Sequence, residues 1–368
     1  MSNTDFKTNI RGVRNKLEEL DSNIERDLNL LKSNEVYNKN KIDNLVESYV
    51  KDNLVLVLGA GVSKDYGIPN WDVLLQKLLL QTFRIETDES KKGALVLAKI
   101  FAKAFPLSQV IAARYVDNYY NDKDGIDFKE AVRKALYENF NPNMETETIK
   151  QIAQLCIASG KSSNLDSIIT YNYDDILERH LSDLQVDISF KSIYDVGQAS
   201  HFNGLPIYHV HGLSPVEEDK ESKITLTDSR YHQHYTDIYS WNNITQINKF
   251  RDKTCLFIGI SLTDPNLRRL LDIANIQKGK KGKYHYIIKK YYDREKIKRT
   301  ISSILEQDKD LLREKKEADL ELEEVTNHIA NIMENFEEKD ALSFQIRTIW
   351  IDDFDEIPDI LKEIRQKD

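Results

Sequence analysis

Apolar residues recur at Ile10, Val13, Leu17, Leu20, Ile24, Leu28 and Leu31, three or four positions apart with charged residues between them. That spacing predicts one apolar stripe on a helix, serving either packing onto the main domain or self-association. Leu54 to Leu58 (LVLVL) is a different signal, a short unbroken apolar run expected of a parallel strand buried on both faces. It leads into Gly59-Ala60-Gly61-Val62-Ser63, and past Pro69 and Trp71 the segment DVLLQKLLLQTF resumes helical spacing. The order is strand, glycine turn, helix. From about residue 89 to about 157 the pattern is almost wholly helical, as in ALVLAKIFAKAF and FKEAVRKALYENF. Strand character returns at Ser167–Thr170, Pro206–Val210, Thr254–Ile258, Tyr284–Ile288 and Phe344–Ile351, with helical stretches between most of them. The charged stretch from about 293 to about 340 keeps an apolar pattern through Ile301, Leu305, Leu320, Val325, Ile329 and Phe336, predicting a long helix or a helical hairpin. DEIPDILKEIRQ closes the chain as an amphipathic helix. The expected architecture is α/β: a Rossmann-like parallel sheet with helices on both faces, a helical insertion or small helical domain at 89–157, and an N-terminal helix. The expected division is a helical segment over 1–44, for assembly or packing, and a main domain over 45–366.

Length and composition narrow the picture. A chain of 368 residues holds one large α/β domain with additions, and 40% hydrophobic content with 18 Tyr and 13 Phe argues for a packed core. The formal net charge of −9 offers no bulk attraction to phosphates, so direct nucleic-acid binding is not expected. Two cysteines, Cys156 and Cys255, cannot make a four-cysteine zinc ribbon or a disulfide framework; no zinc is expected, and a reducing compartment is. The opening MSNTDFKTNIRG lacks the apolar stretch of a signal peptide, and no run of about 18 apolar residues is available to span a bilayer. The expected location is the cytoplasm.

Four polar motifs stand at the ends of predicted strands, where open α/β sheets bind their ligands. The Gly59-Ala60-Gly61 turn permits close approach of a phosphate to main-chain N–H groups at a helix start, and Ser63 adds a hydroxyl; a bare strand-to-helix turn fits the same residues. Lys64 stands where the third glycine of GxGxxG would fall, which disfavours an ordinary dehydrogenase. Thr170-Tyr171-Asn172-Tyr173-Asp174 follows the SIIT strand. Asn172 donates and accepts at once and suits ribose hydroxyls or a held water, whereas Asp174 or Asp175 can serve simply to cap the helix DDILERHL. His209-Val210-His211-Gly212 puts two histidines at alternate strand positions, hence on one face; a metal site has to be weighed, but no cysteine or carboxylate nearby completes it. A strand-end histidine also suits a general base. Gly259-Ile260-Ser261-Leu262-Thr263-Asp264-Pro265-Asn266 offers Ser261 and Thr263 to ribose or phosphate, while Asp264 before Pro265 reads equally as a helix cap.

In order and spacing, GAGVSKDYGIPNW at 59–71, TYNYDDIL at 170–177, HVHG at 209–212, LTDSRY at 226–231 and FIGISLTDPNL at 257–267 resemble the sirtuin-like superfamily, in particular its bacterial NAD-hydrolase branch in antiphage defence. The resemblance covers roughly residues 45 to 366. It implies that NAD is the substrate, that Gly59, Ala60, Gly61 and Ser63 cradle its phosphates, and that Asn172 and Asp174 hold the nicotinamide ribose or the attacking water. His211 would be the base, and Gly259, Ser261, Thr263 and Asn266 would line the adenosine side; Tyr231 is left without a role. The missing zinc ribbon, and Tyr171 where sirtuin deacylases commonly carry Gln, weigh against an NAD-dependent deacylase. A non-catalytic NAD or ADP-ribose sensor is a further alternative. The same resemblance implies a regulated enzyme, a homo-oligomer, and as partner a HerA-type hexameric ATPase.

Overall fold

The structure, a computed structural model, describes residues 36–81, 128–157, 164–184, 189–198, 202–217, 223–224, 237–279, 283–306 and 315–366, with the single positions 15, 96 and 120. In chain order the elements are α1 (Val36–Val50), β1 (Leu54–Leu58), α2 (Trp71–Gln81), α3 (Phe128–Tyr137), α4 (Glu147–Leu155), β2 (Leu165–Thr170), α5 (Ile176–Asp183), β3 (Phe190–Ile193), β4 (Leu205–His209), β5 (Gly212–Leu213), β6 (Lys223–Ile224), α6 (Trp241–Asp252), β7 (Thr254–Ile258), α7 (Pro265–Lys278), β8 (His285–Lys290), α8 (Arg294–Glu306), α9 (Lys315–Ser343), β9 (Ile346–Ile351) and α10 (Ile357–Gln366). Contacts divide the chain into a larger unit, residues 44–286 and 357–368, and a smaller one, residues 1–43 and 287–356.

The larger unit carries parallel strands in the order β3-β4-β2-β1-β7. Every residue of β1 and β7 is buried. Successive side chains of a strand point to opposite faces, so both faces of the sheet centre are covered, which is why these strands read as continuous apolar runs. From β1 the chain builds β2, β4 and β3 to one side and β7 to the other, so the strand order reverses between β1 and β7. A reversal of this kind opens a crevice outside the carboxyl ends of the strands. The register levels those ends: Leu58 pairs with both Thr170 and Ile258, and Thr170 pairs with His209. The α/β, Rossmann-like expectation therefore holds in the part of the chain that carries the four motifs.

In the smaller unit β8, most of whose residues belong there, neighbours β9, and α8 packs on α9. The charged stretch is therefore a pair of helices. Lys41 donates to the carbonyl of Thr348 at 2.6 Å, and burial lowers its pKa to about 8.

Element bounds shift in several places. β4 stops at His209, leaving Val210 outside, and β8 starts at His285 and runs on to Lys290. β9 begins only at Ile346, because Gln345 takes a left-handed φ of 56° just after α9, a helix-ending turn. Within 89–157, residues 128–157 form α3 and α4 with a break between them. Apart from the single positions 15, 96 and 120, the rest of that stretch, the apolar stripe from Ile10 to Leu31, and the LTDSRY segment with Tyr231 lie outside the described residues. Among the described residues no helix is long and apolar enough to cross a membrane.

A candidate active site at the strand ends

The level strand ends bring the four motifs to one cleft of about 370 Å³ in the larger unit. That size is within the range of about 300–1,000 Å³ usual for small-molecule sites. Of the residues singled out in the sequence, Gly59, Ala60, Asn172, Asp174, His211, Gly259, Ser261 and Thr263 line it, while Gly61, Ser63 and Asn266 do not. A roomier groove of about 640 Å³ lies elsewhere, between α4 and α5. None of the four strand-end motifs' cleft residues reaches it, so chemistry rather than size selects the site.

The glycines at the end of β1 serve backbone contact first. Gly61 N–H donates to Gly259 O at 3.0 Å and Gly59 N–H to Ile258 O at 3.0 Å. A Cβ on Gly61 would stand 2.7 Å from Gly259 Cα, and one on Gly59 would stand 2.5 Å from Gly259 O. Gly259 itself sits at φ 67°. The GAG turn and the turn after β7 are thus pressed together main chain to main chain, a contact only glycine permits. The amide of Gly61 is consequently bonded within the protein. Ser63 is buried as well.

Ser63 instead links two motifs. Asn172 Nδ2 donates to Gly59 O and to Ser63 Oγ, each at 3.1 Å, and Ser63 Oγ donates to Asp174 Oδ1 at 3.1 Å. Because a carbonyl can only accept, Gly59 O fixes which end of the Asn172 amide is nitrogen. Both amide hydrogens are used, and among the described residues the side-chain carbonyl oxygen Oδ1 is the acceptor left over. Asp174 Oδ1 also accepts from the N–H of Ile176, the first residue of α5, at 3.3 Å, while Asp175 holds the cap position without a side-chain cap bond. Its other oxygen, Oδ2, is buried without a partner among the described residues. Burial holds the Asp174 carboxyl up at about 6, against the hydrogen bonds from Ser63 and Ile176.

The two histidines part company. With β4 ending at His209, Val210 and His211 enter a turn, and the rings no longer share a face as strict alternation would have it. His209 is sealed in, with Nε2 2.6 Å from Glu178 Oε1 and Nδ1 3.2 Å from Asn172 O. His211 faces the cleft. Its Nε2 lies 3.6 Å from Asp264 Oδ2, an ion-pair distance too long for a hydrogen bond. Burial pulls the His211 pKa below its ordinary value, with Asp264 opposing. Among the described residues no three His, Cys, Asp or Glu side chains converge as a metal site would require.

Asp264 has two jobs. Its Oδ1 caps α7, accepting from Asn266 N–H at 2.7 Å and Leu267 N–H at 3.1 Å, which leaves Oδ2 toward His211. The cap was legible from Asp before Pro; the pairing with His211 was not, because the two stand 53 positions apart and only the sheet order joins them. Asn266 is turned into the α6–α7 packing, where Nδ2 donates to Asn243 Oδ1 at 3.3 Å, which takes it out of the cleft. Leu262, at a strained φ of 58°, bends the loop so that Ser261 and Thr263 hydroxyls meet at 2.7 Å. Tyr171 packs edge-on against the His211 ring at 4.9 Å and its hydroxyl donates to Gln246 Oε1. Trp71, at the start of α2, stacks on Tyr173 at 6.4 Å and gives the cleft an aromatic wall.

Fold and cleft together define a Rossmann-like α/β protein with a candidate ligand site at the topological switch point. Residues 166–316 match the model of a SIR2-like domain, a stretch that takes in the Asn172, His211 and Asp264 motifs. Beyond that stretch, the chain is similar to the NAD(+) hydrolase ThsA of Enterococcus faecium, 25% identical over 335 residues, or 87% of this chain and 57% of that protein. Proteins of the same name from Cytobacillus dafuensis (25% identical; 66% of this chain, 43% of that one) and Acinetobacter baumannii (24%; 89% and 56%) are similar too. The chain therefore spans about half the length of these relatives.

Proposed function

We propose that the chain is an NAD⁺ hydrolase that cleaves the nicotinamide–ribose bond to give nicotinamide and ADP-ribose, and that it acts as a regulated NAD-depleting effector in antiphage defence. The observation that carries this reading is the meeting of Asn172 Oδ1, which accepts no hydrogen bond among the described residues, with His211 in one strand-end cleft. The SIR2-like domain and the ThsA relatives named as NAD(+) hydrolases support it.

Nicotinamide leaves NAD as a neutral base, taking the electron pair of the C1′–N bond, so the reaction asks little acid help and depends on position and a nucleophile. Asn172 Oδ1 orients the nicotinamide ribose or the attacking water. Water forms the new C1′–O bond and its proton passes to His211, then to solvent. A depressed pKa keeps His211 neutral and able to accept a proton, with the Asp264 carboxylate nearby to favour the charge that forms. Asp174 joins Asn172 at the ribose, Gly59 and Ala60 approach the phosphates, and Gly259, Ser261 and Thr263 line the adenosine side. Tyr171, fixed against His211 by its ring contact and by Gln246, fills space that an acyl-lysine would need.

In this reading residues 45–366 are the catalytic domain and 1–44 an assembly segment of a cytoplasmic homo-oligomer, with a HerA-type ATPase as gating partner. Incubating the purified chain with NAD, with and without an acylated peptide, is the test. Nicotinamide and ADP-ribose formed without peptide are expected; release that requires the peptide would make the protein a deacylase, and NAD binding without release a sensor.

A further inference from the structure

Beneath the cleft lies a charged pair that the proposed reaction does not touch. His209 is the last residue of β4, and Leu205, Ile207 and His209 are the buried positions of that strand. An aliphatic residue would satisfy the pattern. The histidine instead meets two acceptors: the carboxylate of Glu178 on α5, 2.6 Å from Nε2, and the main-chain carbonyl of Asn172, 3.2 Å from Nδ1. The main-chain carbonyl can only accept, and so can an ionised Glu178; with that carboxylate charged, both ring nitrogens carry a proton and the ring is an imidazolium. The electrostatics agree from both sides. Burial acts to lower the His209 pKa, yet the charge and hydrogen bond of Glu178 outweigh it and the net shift is upward. Burial acts to raise Glu178, yet His209 and Ser192 bring it below its ordinary value. Ser192 Oγ on β3 donates to the same Glu178 oxygen at 2.8 Å, so β3, β4 and α5 all fix the carboxylate. The other ionisable groups that face the pair are Asp174 and Asp175 before α5, Cys156 after α4 and Tyr137 on α3.

A buried ion pair is weak as a stabiliser, since well-packed apolar residues of similar volume often do as well. What this one supplies is direction. Asn172 is held at four points: its N–H donates to Thr170 Oγ1 at 3.1 Å, its amide to Gly59 and Ser63, and its carbonyl accepts from His209. Only the last tie crosses to β4, the strand that also delivers His211 two residues later. We propose that His209, doubly protonated and clamped between Glu178 and the carbonyl of Asn172, is a positioning residue that sets Asn172 and His211 in register across the cleft. The kinetic part of this inference rests on the NAD-hydrolase reading; the protonation state does not.

The full chain, its His209→Gln, His209→Leu and Glu178→Gln variants, and ¹⁵N-histidine labelling give two independent readouts. Near neutral pH the spectrum of the unmodified chain should contain one histidine with both ring nitrogens protonated, lost in the His209 variants and converted to a neutral ring in Glu178→Gln. A singly protonated His209 in the unmodified chain would overturn the clamp, whether or not the protein consumes NAD. For turnover, His209→Gln keeps a side-chain donor and guards against loss of the fold. Its kcat should fall about ten- to a hundredfold with KM for NAD within about twofold and the melting transition retained. An unchanged kcat in a folded His209→Gln would overturn the positioning role, whereas absence of turnover in the unmodified chain would fault the hydrolase reading and leave the spectrum to decide the clamp.

Discussion

The floor of the cleft and its lining are built from the same four motifs but treat their polar groups in opposite ways. In the floor, Gly59, Gly61 and Gly259 exchange main-chain contacts, Ser63 ties Asn172 to Asp174, and His209 is bonded through both ring nitrogens. In the lining, Asn172 Oδ1 is an acceptor left over, Asp174 Oδ2 is buried without a described partner, and His211 stands 3.6 Å from Asp264. A satisfied group is construction; a buried group left short of partners is held ready for a ligand, at a cost in stability. The difference separates residues that make the site from residues that act in it.

The comparison breaks most visibly at the floor. Gly61→Ala places a Cβ 2.7 Å from Gly259 Cα, main chain against main chain, and a loss of about 3 kcal/mol of stability is expected. Denaturant unfolding measures it; a loss below about 1 kcal/mol would mean that the two turns separate easily.

In the lining the next largest effect is on rate. Asp264→Asn keeps a good helix cap but removes the charge that raises the His211 pKa. A weaker base and a less firmly oriented ring should lower kcat about tenfold. Because the base must be neutral, activity rises as pH climbs through the His211 pKa, and lowering that pKa moves the acid limb to lower pH. A pH–rate profile with an unmoved limb would disconnect Asp264 from His211.

The smallest effect sharpens the contrast, because it should run the other way. The folded pKa of Asp174, about 6, lies above its unfolded value, so below the unfolded value both states are protonated and nothing is lost. As pH rises through about 6 the folded protein must ionise a buried, incompletely bonded carboxyl, and the full cost is present above that. Asp174→Asn should therefore be more stable than the unmodified chain at pH 8, by about 1–2 kcal/mol, and lose that advantage as the pH falls toward about 4. It should also be impaired in turnover. Thermal melting across that range checks it, and a variant less stable at pH 8 would place Asp174 with the floor.

Much of the fold was legible because β1 is apolar at every position and β7 at every position after Thr254, which in a short segment means burial on both faces. The cleft residues were legible as strand-end polar motifs, and the glycine turn as a place of close approach. What it approaches was not legible: Gly61 reads the same whether its neighbour is a phosphate or Gly259. The separation of His209 from His211 depended on β4 stopping at His209, one residue short of the expected end. Glu178 sat within a helical pattern as one more polar residue, and no local spacing tied it to a histidine 31 positions away.

The central claim is that Asn172 and His211 act together on NAD in this cleft. Nicotinamide release by the purified chain, by Asn172→Ala and by His211→Ala, with the products identified and the fold of each variant verified by melting, tests it most directly. The account predicts nicotinamide and ADP-ribose from the unmodified chain and neither from either variant. Turnover that persists unchanged in a folded Asn172→Ala or His211→Ala would contradict it.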